Sequence, residues 1–231
     1  MSDSSDAAPP QPSTLNQRRR EGGSKPTPPG QKTRRSQRER RETTIAKLVE
    51  ATIASLRDVG YAATSVKEVC RRAKISHGGL FRHFPSMLDL VIAAAEEVGR
   101  RQIASFEKRF WHGKDADPTL AGAMRKLRDA CRSPLNTVWY ELLVAARTDK
   151  ELRRALKPAA KRYQEAIRAT AAQVPGVEAI PAELFETLVF TVVHVFDGES
   201  LTRVVLSAPK LEERRMDLLI GLIELLPRVR T

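Results

Sequence analysis

The chain has 231 residues, of which 41% are hydrophobic, 5% aromatic and 29% charged, and its formal net charge at pH 7 is +12. This length and composition suit a globular protein of one or two domains, and the positive charge favours an anionic partner such as nucleic acid or a membrane surface. The longest apolar runs, LVFTVVHVF and LLIGLIELL, are too short to cross a bilayer, and no secretory signal is visible. We therefore expect a cytoplasmic protein with no membrane association.

The sequence shows no pattern for catalysis or metal binding. It has no Ser/His/Asp or Cys/His motif, no phosphate-binding loop and no HExxH sequence, and its four histidines share no ligand spacing. Cys70 and Cys131 lie far apart in apolar helical patterns, which suits reduced core residues in a cytosolic protein. We therefore expect a protein that is not an enzyme and that carries no cofactor and no metal.

Residues 1–37 form a basic segment that is rich in Pro, Ser and Arg. Between residues 16 and 41, ten Lys and Arg residues stand against two Glu. The segment has almost nothing to bury, so we expect it to be disordered on its own. Two interpretations remain open: a solubilising tail, and a basic arm that follows DNA phosphates or enters a minor groove.

A helical pattern begins near Gln37. Apolar residues recur at intervals of three and four from Ile45 to Leu56, which places them on one face of a helix. Gly60 suits a left-handed cap after the last turn of that helix.

Two shorter helices follow. Ser65 and Glu68 form an S-x-x-E capping box that starts the second helix, and after the turn AKI, Ser76 is placed to cap a third helix that continues to Phe84. Pro85 then marks a break before a long helix that runs to Trp111. Three helices with a short turn between the second and the third are the outline of a helix-turn-helix.

The third helix has an unusual composition. Leu80 and Phe84 are four residues apart and should pack inward. Gly78 and Gly79 each lower the helix propensity by roughly 1 kcal/mol relative to alanine. Such a cost is understandable where a slim helix must approach something closely, and the major groove of DNA admits such a helix.

These residues resemble a known signature. The stretch GYAATSVKEVCRRAKISHGGLFRHFPSMLDL is similar to the DNA-binding region of the TetR family of bacterial transcriptional regulators, from the Gly-aromatic stop to the Ser-x-Gly-x-Leu-aromatic-x-His-Phe recognition helix. The similarity extends without gaps from Arg40 to Ala95. The rest of the chain resembles the family only in its length and helical pattern.

The resemblance implies an all-α protein with two folded domains. Residues 38–101 would form a three-helix helix-turn-helix DNA-binding domain, which continues into a linking helix to about residue 111. Residues 112–231 would form a helical effector-binding and dimerisation domain. The expected function is a sequence-specific transcriptional regulator, a repressor released from a palindromic operator by an unknown small-molecule effector. An effector-independent regulator or an activator is the alternative.

The resemblance also assigns DNA contacts by position. The expected contacts are Ser65, Val66, Ser76, His77, Gly78, Gly79, Phe81, Arg82 and His83. Two departures weaken this set, because the family commonly has Tyr at the position of Phe81 and Lys at the position of Met87. Each departure removes one phosphate contact, and the basic arm is the candidate to replace them.

Five further helices are expected in the second half. We place them near Leu120–Arg132, Leu135–Thr148, Lys150–Gln173, Ala182–Leu206 and Leu211–Leu226. Pro158 should either start a new helix or bend the third of them. Ala182–Leu206 is apolar on more than one face and Leu211–Leu226 has a regular apolar stripe, so a neighbour beyond their own core is expected. The resemblance implies that this neighbour is a second copy, in a homodimer through the last two helices. The other interpretation is an ordinary monomer core.

An effector pocket is implied by the resemblance between the long fourth helix and the middle helices of the second domain. The candidate wall residues are Phe106, Phe110, Trp139, Leu143 and His194. Periodicity does not separate a pocket wall from plain core, and a hydrophobic small molecule is the default ligand. Bound to its operator, the protein would be associated with the bacterial nucleoid.

Overall fold

The computed structural model describes residues 36–112 and 114–226, and the chain forms nine α-helices within them. The helices are α1 (Gln37–Ala63), α2 (Val66–Ala73), α3 (His77–Phe81), α4 (Met87–Trp111), α5 (Leu120–Cys131), α6 (Thr137–Ala145), α7 (Lys150–Ala171), α8 (Ala182–Thr202) and α9 (Pro209–Leu225). All nine belong to one compact unit, and none is long and apolar enough to span a membrane. Apart from its last two residues, the predicted basic arm lies outside the described residues. The predicted all-α fold is confirmed.

The end of α1 differs from the prediction. Gly60 has φ 77° and ψ 174°, so its φ is positive as expected but its ψ is extended, unlike that of a left-handed cap. The helix is therefore kinked at Gly60 and resumes for three residues, to Ala63. This backbone region is almost restricted to glycine.

The short helices α2 and α3 depend on serine caps. Ser65 accepts a hydrogen bond from the Glu68 amide at 3.3 Å, and Ser76 accepts one from the Gly79 amide at 3.2 Å. The other half of the predicted capping box is missing, because the Glu68 carboxylate is occupied by two neighbouring arginines. Those arginines, Arg71 and Arg72, lower the pKa of Glu68 to about 2. The charge of Glu68 thus neutralises part of the basic face of α2.

Helix α3 is shorter than predicted, since it ends at Phe81 and not at Phe84. Leu80 is nevertheless fully buried and Phe84 is buried, as the four-residue spacing indicates. The next helix begins with a complete capping box, in which Ser86 accepts from the Asp89 amide at 3.1 Å and Asp89 accepts from the Ser86 amide at 3.0 Å. This box fixes the start of α4 directly after the third helix.

Helix α4 is the central element of the fold. It packs against α1 on one side and α7 on the other, with further contacts to α5 and α6. The larger core cluster joins α1, α2, α3, α4, α6 and α7, and it includes Leu48, Val69, Leu80, Leu90 and Leu142. A second cluster joins α5, α8 and α9 around Phe196, Met216 and Ile223.

The helices of the second half lie close to their predicted positions. Helix α6 is shorter than expected at both ends, and α7 is one helix that contains Pro158, so Pro158 does not start a new one. A 3-10 turn, Val177–Ala179, lies within the predicted break before α8.

A buried ionic cluster joins α5, α8 and α9. Arg132 lies 2.5 Å from Glu199 and 2.8 Å from Glu212, and both carboxylates are buried. Arg215 also pairs with Glu199. Buried carboxylates carry a large desolvation cost that paired cations and hydrogen bonds offset, so the cluster favours the observed arrangement of the last two helices.

Replacing Gly60 with alanine should lower the free energy of unfolding by about 1–3 kcal/mol, because a side chain is strained in this backbone region. A β-carbon would also lie 2.8 Å from Oε2 of Glu141, the oxygen that accepts a hydrogen bond from the Tyr61 amide. Urea denaturation followed by circular dichroism measures the change. Gly176→Ala is the control for a positive φ without that contact, since Gly176 has φ 91° and ψ −13°, in the left-handed region, and a β-carbon there meets no described atom within 4 Å. Equal losses in the two variants would contradict a role for the Glu141 contact.

Candidate DNA interface and ligand cavity

The first turn of α3 presents an exposed surface. Ser76, His77 and Gly78 are exposed, while the amide of Gly79 is held by the Ser76 side chain. On the same helix Phe81 is 49% exposed, and Arg82, which follows it, is also exposed. Within the described part of the chain, Arg82 makes no ion pair. These side chains contribute little to the core and are available to a partner.

The two adjacent glycines of α3 have different surroundings. A β-carbon on Gly79 would lie 2.8 Å from Cγ2 of Ile75, so packing inside the protein excludes a side chain there. A β-carbon on Gly78 would meet no atom of the described residues within 4 Å. The folded chain therefore gives no reason for a glycine at position 78, although glycine weakens the helix.

The remaining predicted DNA contacts are more buried or already take part in contacts within the protein. Ser65 is exposed at the start of α2, and its hydroxyl accepts the capping hydrogen bond. Val66 is half-buried and packs against the larger core cluster. His83 is half-buried, and its Nδ1 atom is buried with no hydrogen-bond partner among the described residues. Met87, where the family commonly has lysine, packs against the core.

The two arginines of α2 are not free cations. Arg72 is largely buried and lies 2.6 Å from both Asp58 and Glu68, and Arg71 lies 2.8 Å from Glu68. These ion pairs raise the pKa of both arginines. Arg72 thereby connects α2 to α1, so its first role is structural.

A cavity of about 230 Å³ lies among α4 to α9. Four of the five predicted wall residues line it, namely Phe106, Trp139, Leu143 and His194. Phe110 does not line it. Phe110 is buried in a separate small cluster with Ala123 and Val174, and its ring stacks on Phe106 with the centroids 5.5 Å apart.

Polar residues in the cavity wall were missed by the sequence analysis. Gln102 donates to Asn136 at 2.6 Å, and Asn136 and Tyr140 both donate to Oδ1 of Asp197, at 3.2 and 2.8 Å. Burial, followed by the charge of Asp197, raises the pKa of the Tyr140 phenol, so that it stays protonated and donates. The sequence does carry a signal for Asp197, because it lies one helical turn after the buried Val193.

A stacked aromatic pair forms another part of the wall. The rings of Trp139 and Tyr163 are 5.0 Å apart and nearly parallel, and Gly99 of α4 lies against them. A β-carbon on Gly99 would come within 3.0 Å of the Tyr163 ring. The glycine lets the aromatic pair lie directly on the α4 backbone.

An exposed stripe runs along α8 and α9. On α8 its members recur at intervals of three and four, and they are Leu184, Thr187, Thr191, His194, Gly198 and Leu201. On α9 the stripe consists of Leu211, Leu218, Leu222 and Leu225, each about half exposed. The connecting segment adds Val204, Val205 and Leu206, which are the most exposed large apolar residues of the described chain. His194 therefore belongs to this stripe as well as to the cavity wall.

The described residues contain no group of three or more His, Cys, Asp or Glu side chains that could hold a metal ion. The fold and the exposed tip of α3 together define a helix-turn-helix protein that has a cavity among its later helices.

Comparisons with known proteins identify the class and the family. The profile of the family described as "Bacterial regulatory proteins, tetR family" matches residues 48–94. The chain is 41% identical over 189 residues to the uncharacterised HTH-type transcriptional regulator Rv2912c of Mycobacterium tuberculosis, an alignment that covers 82% of this chain and 97% of that one. It is also 32% identical over 103 residues to the HTH-type transcriptional repressor KstR of Mycolicibacterium smegmatis, covering 44% and 48% of the two chains.

A solved structure supports the same assignment. The multidrug binding protein EbrR, crystallised with imidazole, is 26% identical and superposes with a TM-score of 0.54 over 77% of this chain and 93% of that one. The protein is a DNA-binding transcriptional regulator. It belongs to the TetR family, whose members are dimeric and are not enzymes.

Gly78→Ala should weaken DNA binding at least tenfold without destabilising the fold. The new methyl group meets none of the described residues, and alanine favours the helix by roughly 0.5–1 kcal/mol, so the free energy of unfolding should stay constant or rise. Gly79→Ala is the contrast, since its methyl group collides with Ile75 and should destabilise the fold. Fluorescence anisotropy with a selected duplex and urea denaturation measure the two effects. Normal DNA affinity in Gly78→Ala would show that DNA does not approach this position.

Proposed function

We propose that the protein is a repressor that a small-molecule effector releases from a palindromic operator. The observation that carries this proposal is the continuity of α4, which begins at the cap that follows α3 and lines the cavity at Gln102, Ile103 and Phe106. One rigid helix thus belongs both to the DNA-binding region and to the wall of the cavity.

The proposed DNA-binding domain comprises residues 38–101, and α3 is its recognition helix. The exposed residues at the α3 tip would meet base edges in the major groove, and the start of α2 would meet phosphate. Since Phe81 has no hydroxyl and Met87 no charge, the basic arm of residues 1–37 would supply further phosphate contacts. The effector-binding and dimerisation domain comprises residues 112–231.

The proposed dimer forms through α8 and α9. Their exposed stripe has leucines along α9 and near both ends of α8, with threonine, histidine and glycine between them on α8, and exposed apolar side chains in such number mark an interaction surface. A two-fold axis through it would place identical stripes against each other and build a four-helix bundle. The two α3 helices would then lie about 34 Å apart, one turn of the duplex.

Release follows from linkage between the two ligands. The protein would have two states, one with the recognition helices spaced for the operator and one with a different spacing. An effector that binds more tightly to the second state lowers the affinity for the operator, and the ratio of its affinities for the two states limits the size of the effect. The cavity supports a small-molecule effector, and so does EbrR, a relative crystallised with imidazole.

Selection of bound sequences from a random duplex pool tests the proposed function. We expect a palindrome whose half-site centres lie one or more helical turns apart, and a salt dependence typical of phosphate contacts. A thermal-shift screen should then find a ligand that raises the melting temperature and weakens operator binding. An asymmetric site would contradict the dimer arrangement. A regulator that no stabilising ligand releases from DNA would instead be the effector-independent regulator or activator.

Leu218→Glu combined with Leu222→Glu should convert the dimer to a monomer and weaken operator binding at least 100-fold. Both leucines are more than half exposed, so the subunit should remain folded while the interface loses apolar contact and gains repulsion. Light scattering coupled to size exclusion measures the mass, and circular dichroism measures the folding. Glu224→Lys changes an exposed α9 residue outside the stripe and should leave the dimer intact. A double variant that is still dimeric would exclude this face.

A further inference from the structure

The charge of the cavity wall is uneven. Among the described residues that form the wall there is no lysine, arginine or glutamate, and Asp197 is the only carboxylate. Nearly all other wall residues are apolar or aromatic. A ligand in this cavity therefore meets one negative charge and no positive partner for it, apart from the histidine at position 194.

The Asp197 side chain is held in place by neutral groups. Tyr140 and Asn136 both donate to Oδ1, and neither donates to Oδ2. Asn136 is fixed in turn by Gln102 and by the main-chain carbonyl of Cys131, to which it donates at 3.2 Å. In the described chain no lysine or arginine forms an ion pair with Asp197. This contrasts with Glu199, two residues along α8, whose carboxylate is paired with Arg132 and Arg215.

Uncompensated carboxylates in apolar surroundings are energetically costly. Glu199 and Asp197 are close on one helix, yet the described residues supply two cations to the first and none to the second. Among the described residues Asp197 therefore has no cationic partner, and the cavity beside it is large enough to hold a small ligand that brings one.

The aromatic part of the wall suits the same ligand. Trp139 and Tyr163 stack in parallel, and Phe106 lines the cavity on α4. Aromatic faces attract cations through their quadrupole, most strongly when water is excluded, and tryptophan is the best of the three rings. The wall thus offers a carboxylate together with aromatic surface.

We propose that the effector is a small hydrophobic cation, with a positively charged nitrogen next to Asp197 and an apolar or aromatic body against Trp139 and Tyr163. This inference rests on the proposed function of the cavity as the effector site. It adds the chemical class of the ligand, which the family assignment does not give.

A charge series on one molecular frame tests the inference with the unmodified, full-length protein. Phenylbutylamine, phenylbutanol and phenylbutanoate share a ring and a four-carbon chain and carry positive, zero and negative charge at pH 7. Calorimetric titration should show the amine binding at least tenfold more tightly than the alcohol, and the acid binding more weakly than both. Equal affinities, a preference for the alcohol or the acid, or no binding of the amine would overturn the proposal.

A comparison of the Asp197→Asn and Asp129→Asn variants tests whether the preference for the amine depends on the charge of Asp197. The first variant keeps an oxygen for Tyr140 and removes the charge, and should reduce the preference for amine over alcohol to less than threefold. Asp129 is exposed on α5 outside the cavity wall, and its variant changes the net charge equally, so it should keep the full preference. An unchanged preference in Asp197→Asn would overturn the proposal. If Asp197→Asn does not fold, as judged by circular dichroism, the charge series on the unmodified protein decides.

Operator binding separates this inference from the function on which it rests. Binding of a selected palindrome by the unmodified protein, without any preference for the amine, would overturn the cationic effector and leave the repressor intact. A protein that binds the amine but no palindrome would overturn the proposed function instead.

Discussion

The structure depends on one constraint above others: α4 is a single helix with two different sets of neighbours. Its first half packs into the core that α1, α2 and α3 share, and its second half forms wall and packing surface for α5, α6 and α7. Because one continuous helix connects the Ser86 cap to Gln102, we expect a displacement at one of them to be transmitted to the other. The close approach of the aromatic pair at Gly99 strengthens this connection, because it brings Trp139 and Tyr163 against the α4 backbone itself.

A second connection runs through α1 and α6. The Tyr61 amide donates to Glu141 at 3.3 Å, and the Tyr61 hydroxyl donates to Asp149 at 3.0 Å. Burial, followed by the hydrogen bond to Asp149, raises the pKa of Tyr61 to about 12, so the hydroxyl remains a donor at neutral pH. Helix α6 also contributes Trp139 and Leu143 to the cavity. The kinked end of α1 is thus attached to the same helix that a ligand would contact, in addition to the route through α4.

Sequence reasoning succeeded where the determinants are local. The serine caps of α2 and α3 and the burial of Leu80 depend on residues within one or two turns, and spacing reveals them. It failed where distant residues compete. The Glu68 half of the capping box is lost to Arg71 and Arg72, the second of which also pairs with Asp58. Gly60 lies against Glu141, which comes from another helix. Phe110 and Phe106 occur at similar positions in the pattern, yet only one lines the cavity, since wall and core are equally apolar in sequence.

Helix α8 joins the cavity to the stripe proposed for dimerisation. Asp197 faces the cavity, and Leu201 and Gly198 lie on the exposed side of the same helix, one turn or less away. Between them, the ion pairs of Glu199 tie α8 to α5 and α9, which limits how far α8 can tilt relative to its neighbours. A ligand charge placed at Asp197 would therefore act on a helix that is held by ion pairs and that, in the proposed dimer, also contacts the second subunit. In the proposed dimer, a small displacement in the cavity of one subunit would then be transmitted to the interface between the two subunits. The geometry of that interface would set the distance between the two DNA-binding domains.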